Sequence, residues 1–218
     1  MLSEIWMNNE MYCPACAYDS LKKFPKIYEL KSKSSPMGRS ILDGAYYAAL
    51  ERIASSTNPN LFVLHYDKNV IEVLTVIPKH FFTPDILKIR RALLPTAKRA
   101  GYIGSVIMYR DIPEQGKIAV ISSHTELNRN TVLTKYAAAS MLRVDNMNLR
   151  GWLMDIMRCV DKIAHDIFSL EDLYKFEREL SIKHPDNHNI TAKIRQQLQF
   201  LRDKGFIEFV GRGRYRKL

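Results

Sequence analysis

The C-terminal stretch constrains the fold most, because its apolar residues follow a helical period that ends abruptly at a glycine. From about Thr191 to Lys204, the residues Ile190, Ile194, Leu198 and Leu201 recur at helical spacing and form one apolar stripe. With about 100° between successive residues, the opposite face carries Arg195, Gln196, Gln199 and Arg202, with Ala192 near its start. Gln197 falls beside the stripe and is not counted with them. Gly205 stands where a helix commonly ends, since glycine tolerates the left-handed backbone that closes the last turn. The remainder, Phe206 to Lys217, reads as a strand, a Gly-Arg-Gly turn and a second, basic strand.

Two more helices are predicted upstream. One runs from about Gly151 to Ala164, with Trp152, Ile156, Cys159, Val160 and Ile163 on one face, which makes Cys159 a core residue. The next opens at Ser169-Leu-Glu-Asp172, an acidic variant of the capping box. Leu170, Leu173, Phe176, Glu177 and Leu180 then trace a mostly apolar face. Three helices followed by a two-stranded wing make a winged helix-turn-helix.

Charge then indicates the partner. The net charge is +10, and residues 191–218 carry eight basic side chains against two acidic ones, which is +6 of it. Positive charge gathered at one end is the footprint of a polyanion. Arginine and glutamine can make paired contacts to guanine and adenine edges in the major groove. Wing arginines suit phosphates, which position a protein without specifying sequence. The candidate DNA-binding set is Lys193, Arg195, Gln196, Gln199, Arg202, Arg212, Arg214 and Arg216.

The chain divides near Asn146–Arg150, giving expected domains of 1–147 and 148–218. Before that point strands and helices alternate, which suggests an α/β or α+β sheet domain. Ile27–Lys33 reads as a strand and Ser40–Ser55 as a helix with Ser40 as its cap. Leu61–Tyr66 and Val70–Ile77 read as a hairpin. Pro78–Arg99 reads as a basic loop, with strands at Ile103–Tyr109 and Lys117–Ser122 and a helix at Thr131–Leu142. No run approaches the roughly 18 apolar residues of a membrane helix, and no secretory signal opens the chain. The three cysteines, Cys13, Cys16 and Cys159, argue for a reducing interior rather than a disulfide framework. The expectation is a monomer in the bacterial cytoplasm, without membrane contact.

Several blocks carry a family resemblance. They are YCPAC at Tyr12–Cys16, ELKSK at Glu29–Lys33, DGAY at Asp43–Tyr46, NPN at Asn58–Asn60, IPKHFFTP at Ile77–Pro84, PTAKRAGYIG at Pro95–Gly104, RGWLMDIMRCVDKI at Arg150–Ile163 and KIRQQLQFLRDKGFIEFVGRGRYRKL at Lys193–Leu218. In this collinear order the chain resembles the DpnI family of methyl-directed type II restriction endonucleases over nearly its whole length. The resemblance implies a PD-(D/E)xK nuclease domain followed by a winged helix, both recognising adenine-methylated GATC in double-stranded DNA, with magnesium needed for cleavage. It assigns Glu29 and Lys31 as the E-x-K pair, Glu29 as a magnesium ligand, and Cys13 and Cys16 as half of a zinc site. It puts Tyr102 where the family has a tryptophan near the methylated base. The basic side chains Lys88, Arg90, Arg91, Lys98 and Arg99 suit phosphate contact.

Two parts of the family pattern are missing. The first is about one helix's length before Trp6. The second is the segment between Phe24 and Tyr28, where the family carries PVAD with its metal-binding aspartate and a second Cys-x-x-Cys. Here only Pro25-Lys26-Ile27 stands. Asp19 and Asp43 are the nearby carboxylates that would have to stand in for the aspartate, and His65, His80 or a second chain would have to complete the zinc site. A nuclease domain lacking these pieces is expected to be less stable than the winged helix. The alternative function is a homologue that binds DNA through its winged helix without cutting it.

Overall fold

The computed structural model describes residues 11–15, 26–31, 39–55, 58–67 and 70–218. It is an α+β chain in two compact units, Met1–Arg143 and Val144–Leu218.

The first unit is built on a five-stranded sheet. Strands β1 (Lys26–Lys31), β3 (Leu61–Asp67), β4 (Val70–Ile77), β7 (Ile118–Ser122) and β8 (Thr125–Glu126) lie in the order β1-β3-β4-β7-β8. β1 runs parallel to β3, and every other pair in the sheet is antiparallel. Val63, Leu74, Val76, Ile77 and Val120 are buried, which is why β3 and β4 read as near-continuous apolar runs rather than alternating ones. Helix α2 (Arg129–Ser140) lies against β7 and buries Val132, Tyr136 and Ala139. Asn128 caps it by accepting from the backbone amides of Asn130 and Thr131.

A second sheet takes β2 (Ile41–Ala45), β6 (Gly104–Ile107) and β5 (Leu87–Ile89) in the order β2-β6-β5, with α1 (Tyr46–Ala54) packed against it. This corrects the reading of Ser40–Ser55 as one helix. Ile41 is buried opposite Ile107 while Leu42 is exposed, the alternation of a strand. Glycine in a helix interior costs about 1 kcal/mol. Here the Gly44 carbonyl accepts instead from the Ser105 hydroxyl at 3.0 Å. The helix therefore begins at Tyr46, without a side-chain cap, and Ser40 caps nothing. Asp43 accordingly sits on a strand and not in a helix.

The expected loop Pro78–Arg99 holds more structure than its prolines suggested. Short 3-10 turns at Lys79–Phe81 and Pro84–Ile86 lead into β5. Phe81, Phe82, Ile86 and Leu87 are buried, so apolar side chains anchor a segment whose later half is basic and exposed. Gly116 permits this anchoring, since a Cβ there would stand 2.5 Å from Cδ1 of Phe81. The strand expected at Ile103–Tyr109 is shorter, and a 3-10 turn takes Tyr109–Asp111.

The second unit contains α3 (Met147–Lys162), β9 (Ile167–Ser169), α4 (Leu170–Tyr174), α5 (Glu177–Lys183), α6 (Ile190–Asp203), β10 (Ile207–Gly211) and β11 (Arg214–Lys217). Its core includes Trp152, Leu153, Ile156, Cys159, Phe168, Leu173, Ile194, Leu198 and Leu201. Burial pushes the Cys159 thiol up to about 12, the environment of an inert core cysteine. The helix expected from Ser169 is broken at Lys175–Phe176. Leu170, Leu173 and Phe176 recur every third residue, and the chain tightens to match, with the Phe176 amide donating to the Leu173 carbonyl. β9, which the sequence did not reveal, pairs with β11 and makes the wing a three-stranded sheet in the order β10-β11-β9.

Candidate nucleic-acid interface

The helix α6 is fixed at both ends. Asn189 caps its start by accepting from the Ala192 amide at 3.2 Å. At its end Gly205 adopts φ +75°, and the amides of Gly205 and Phe206 donate to the carbonyls of Arg202 and Leu201. This double closure satisfies two otherwise free carbonyls. Between these ends Ile190, Ile194, Gln197, Leu198 and Leu201 are buried. Arg195, Gln196, Gln199 and Arg202 are exposed. Several of these side chains have partners within the unit. Arg195 donates to the Tyr174 hydroxyl at 2.9 Å, Lys193 to Oε1 of Gln196 at 2.7 Å, and Arg202 to Oδ1 of Asp203 at 2.8 Å.

The wing follows the same logic. Gly211 pairs with Arg214, leaving Arg212 and Gly213 to make the turn, and Gly213 takes φ +67°. The Gly213 carbonyl accepts from the Leu170 amide at 3.0 Å, which ties the turn to the start of α4. Ser169 and Asp172 form the capping box there. Hydrogen bonds from Lys175 and Ser169 hold the Asp172 carboxyl well below the usual carboxylate range. Tyr215 packs on Phe168 and Phe209, so its neighbours Arg214 and Arg216 are turned to the exposed side, as is Arg212 in the turn. Arg216 pairs with Glu208 across the strands at 2.5 Å.

A buried ionic cluster elsewhere in this unit was not read from the sequence. Asp155, on α3, is 4% exposed. It accepts from Lys183 at 2.6 Å, from His184 at 2.8 Å and from Arg158. Burial favours the neutral acid, but the His184 hydrogen bond and the charges of Arg158 and Lys183 outweigh it and hold the carboxyl down at about 2. His184 also stacks on Trp152, centroids 3.7 Å apart and planes at 15°. The one available signal was a lone carboxylate at position 155 inside an apolar helical face. Nothing local announced that Lys183 and His184, at the end of another helix, would reach it.

In the first unit, the strand β1 carries Glu29 level with Leu64 and Lys31 level with Tyr66 of β3, at one edge of the five-stranded sheet. Asp43 belongs to the other sheet, where its Oδ1 accepts from the Gly44 amide at 2.6 Å. Cys13 is half-buried with a free thiol, while Cys16 and Asp19 lie outside the described residues. His65 is paired with Glu72 at 2.8 Å, and His80 with the Ala139 carbonyl at 2.8 Å. Among the described residues no group of three His, Cys, Asp or Glu side chains is placed to hold a metal ion.

Tyr102 is half-buried against the Arg99 guanidinium, 4.3 Å from its ring centroid. Its Cε1 would lie 3.4 Å from a Cβ on Gly104, so the missing side chain leaves room for the ring. Lys88, Arg90, Arg91, Lys98 and Arg99 are all exposed. No helix among the described residues is long and apolar enough to cross a membrane.

A family model described as DpnI, Dam-replacing family, matches residues 1–145. A second, described as the Dam-replacing HTH domain, matches residues 148–217.

Proposed function

The chain belongs to the DpnI, Dam-replacing family, and on that premise we propose that it is a methyl-directed restriction protein whose winged helix recognises adenine-methylated GATC in double-stranded DNA. One observation carries this reading: α6 exposes Arg195, Gln196, Gln199 and Arg202 on one face, beside a wing that exposes Arg212, Arg214 and Arg216. Gln199 and the arginines of α6 suit base edges, and the wing suits phosphates. In the first unit, Tyr102 on its Arg99 support suits contact with a methylated base, with the neighbouring basic side chains on the strand backbone.

Cleavage of that site by Glu29 and Lys31 with magnesium is the activity the family relationship supports. A second reading, binding without cleavage, is favoured by a specific observation. Only Pro-Lys-Ile separates Phe24 from Tyr28, and Asp43 lies on the other sheet, engaged with Gly44. Magnesium needs several oxygen ligands in near-octahedral order, and the described residues do not supply them. They do not complete a zinc site either, since structural zinc takes four ligands and both candidate histidines have other partners.

The test is incubation of methylated and unmethylated GATC plasmid with the protein and magnesium, alongside a gel shift. Methyl-dependent fragments support the endonuclease. Intact plasmid with a methyl-dependent shift supports binding alone, and intact plasmid with no shift on either DNA overturns both.

A further inference from the structure

The second unit contains a groove of about 650 Å³ that the reading face does not include. Its walls are the start of α3, from Asn146 to Leu149, and the turn from Lys183 to Asn187. Its floor is the stacked pair Trp152 and His184. Lys193 closes the side towards α6, with its Nζ 5.9 Å above the Trp152 ring.

Charge decides what such a groove can hold. The charged lining residues are Lys183, Lys193 and Asp186, with His184 adding a positive charge when protonated. Beneath the groove, the Asp155 carboxylate is matched by Arg158 as well as by Lys183. The whole assembly therefore stays net positive. The rest of the lining combines Asn146, Asn148 and Asn187 with the apolar Met147, Leu149, Trp152 and Pro185, so its net positive charge and amide donors suit an anion that rests against an apolar floor. It is also continuous with the reading face, because Lys193 both lines it and donates to Gln196.

We propose that this groove seats a phosphodiester of the DNA strand that passes the start of α6. Lys193 and Lys183 supply its positive charge, and Asp186 opposes it. Lys193 is then a phosphate contact and not a base reader. Asp155 is a positioning residue, since it holds Lys183 and the His184 that floors the groove. This rests on the winged helix binding duplex DNA. A free phosphate or mononucleotide would answer to the same chemistry, so the two sources need separate measurements.

The experiment follows the anisotropy of labelled GATC duplexes, methylated and unmethylated, against salt, using the full chain. Lys193→Gln is expected to weaken binding equally on every duplex and to reduce the salt slope by about 1. Asp186→Asn is expected to tighten binding about two- to fivefold, the worth of one exposed charge contact. In a scan of duplexes with single uncharged methylphosphonates, one position should abolish the difference between wild type and Lys193→Gln. An unchanged slope with altered discrimination between duplexes would overturn the assignment. So would Asp186→Asn binding no tighter than wild type. Adenosine monophosphate or inorganic phosphate changing Trp152 fluorescence in the Trp6→Phe chain, at concentrations that do not displace duplex, would make this a small-ligand site and overturn the DNA assignment. Wild type failing to bind any duplex would instead remove the winged-helix reading itself.

Discussion

Replacing Asp155 with asparagine keeps the side chain's size and removes its charge, and the structure gives the size of the effect. The ordinary carboxyl value of 3.8 falls to about 2 in the folded chain. At about 1.4 kcal/mol per pH unit, that difference is worth about 2–3 kcal/mol to folding. The carboxylate is 4% exposed, so little of this is lost to solvent screening. Because the folded value is the lower one, the stabilisation is complete above about pH 4 and disappears as pH falls towards 2. Asparagine would also leave Arg158 and Lys183 without their counter-charge. The Lys183 side chain is about a third exposed and can return to water, which limits the added cost. The expected loss at neutral pH is about 2–3 kcal/mol. Urea unfolding can be followed through Trp152, which stacks on the same His184, after the chain's other tryptophan is replaced by Trp6→Phe. Asp155→Asn should also flatten the acid limb between pH 4 and 2. A loss below about 0.5 kcal/mol, or an unchanged acid limb, would mean that the cluster does not stabilise the fold as its geometry implies.

Three further outcomes are expected. Gly116→Ala should destabilise the first unit by about 1–3 kcal/mol, read by thermal unfolding, because its Cβ would enter the Phe81 ring's space. Gly213→Ala would place its Cβ in ordinary contact with Cδ1 of Leu170 at 3.8 Å but at a φ of +67°, so it should strain the wing turn by about 1 kcal/mol and show as faster hydrogen exchange at the Leu170 amide, which donates to Gly213. Gln199→Ala should cost about 1–3 kcal/mol of discrimination between GATC and altered duplexes without changing the salt slope, whereas Arg214→Ala should lower the slope by about 1 and leave discrimination intact.

How much was legible in the sequence depended on whether the signal was local. The stripe of Ile190, Ile194, Leu198 and Leu201 fixed α6, and Gly205 marked its end, because both follow from the period and dihedral needs of one helix. The capping box at Ser169 was legible for the same reason, since its partners are three residues apart. The wing's third strand was not. Ile167–Ser169 is three residues long and acquires its identity only by pairing with Arg214–Arg216. The strand Ile41–Ala45 was hidden by the good helix formers after it, until pairing with Gly104–Ile107 overrode local preference. The Asp155 cluster depends on two helices meeting, so neither segment announced it. In the first unit the E-x-K spacing of Glu29 and Lys31 takes its meaning only from the resemblance around it, because two such residues on a strand carry little information alone.

The most direct test of the central claim is the salt dependence of duplex binding by the purified chain. Arg212, Arg214, Arg216, Lys183 and Lys193 of the second unit should by themselves give a log–log slope of roughly −3 to −5, which the exposed basic side chains of the first unit steepen, with tighter binding to methylated GATC. Affinity that ignores salt, or no affinity for any duplex, would contradict it.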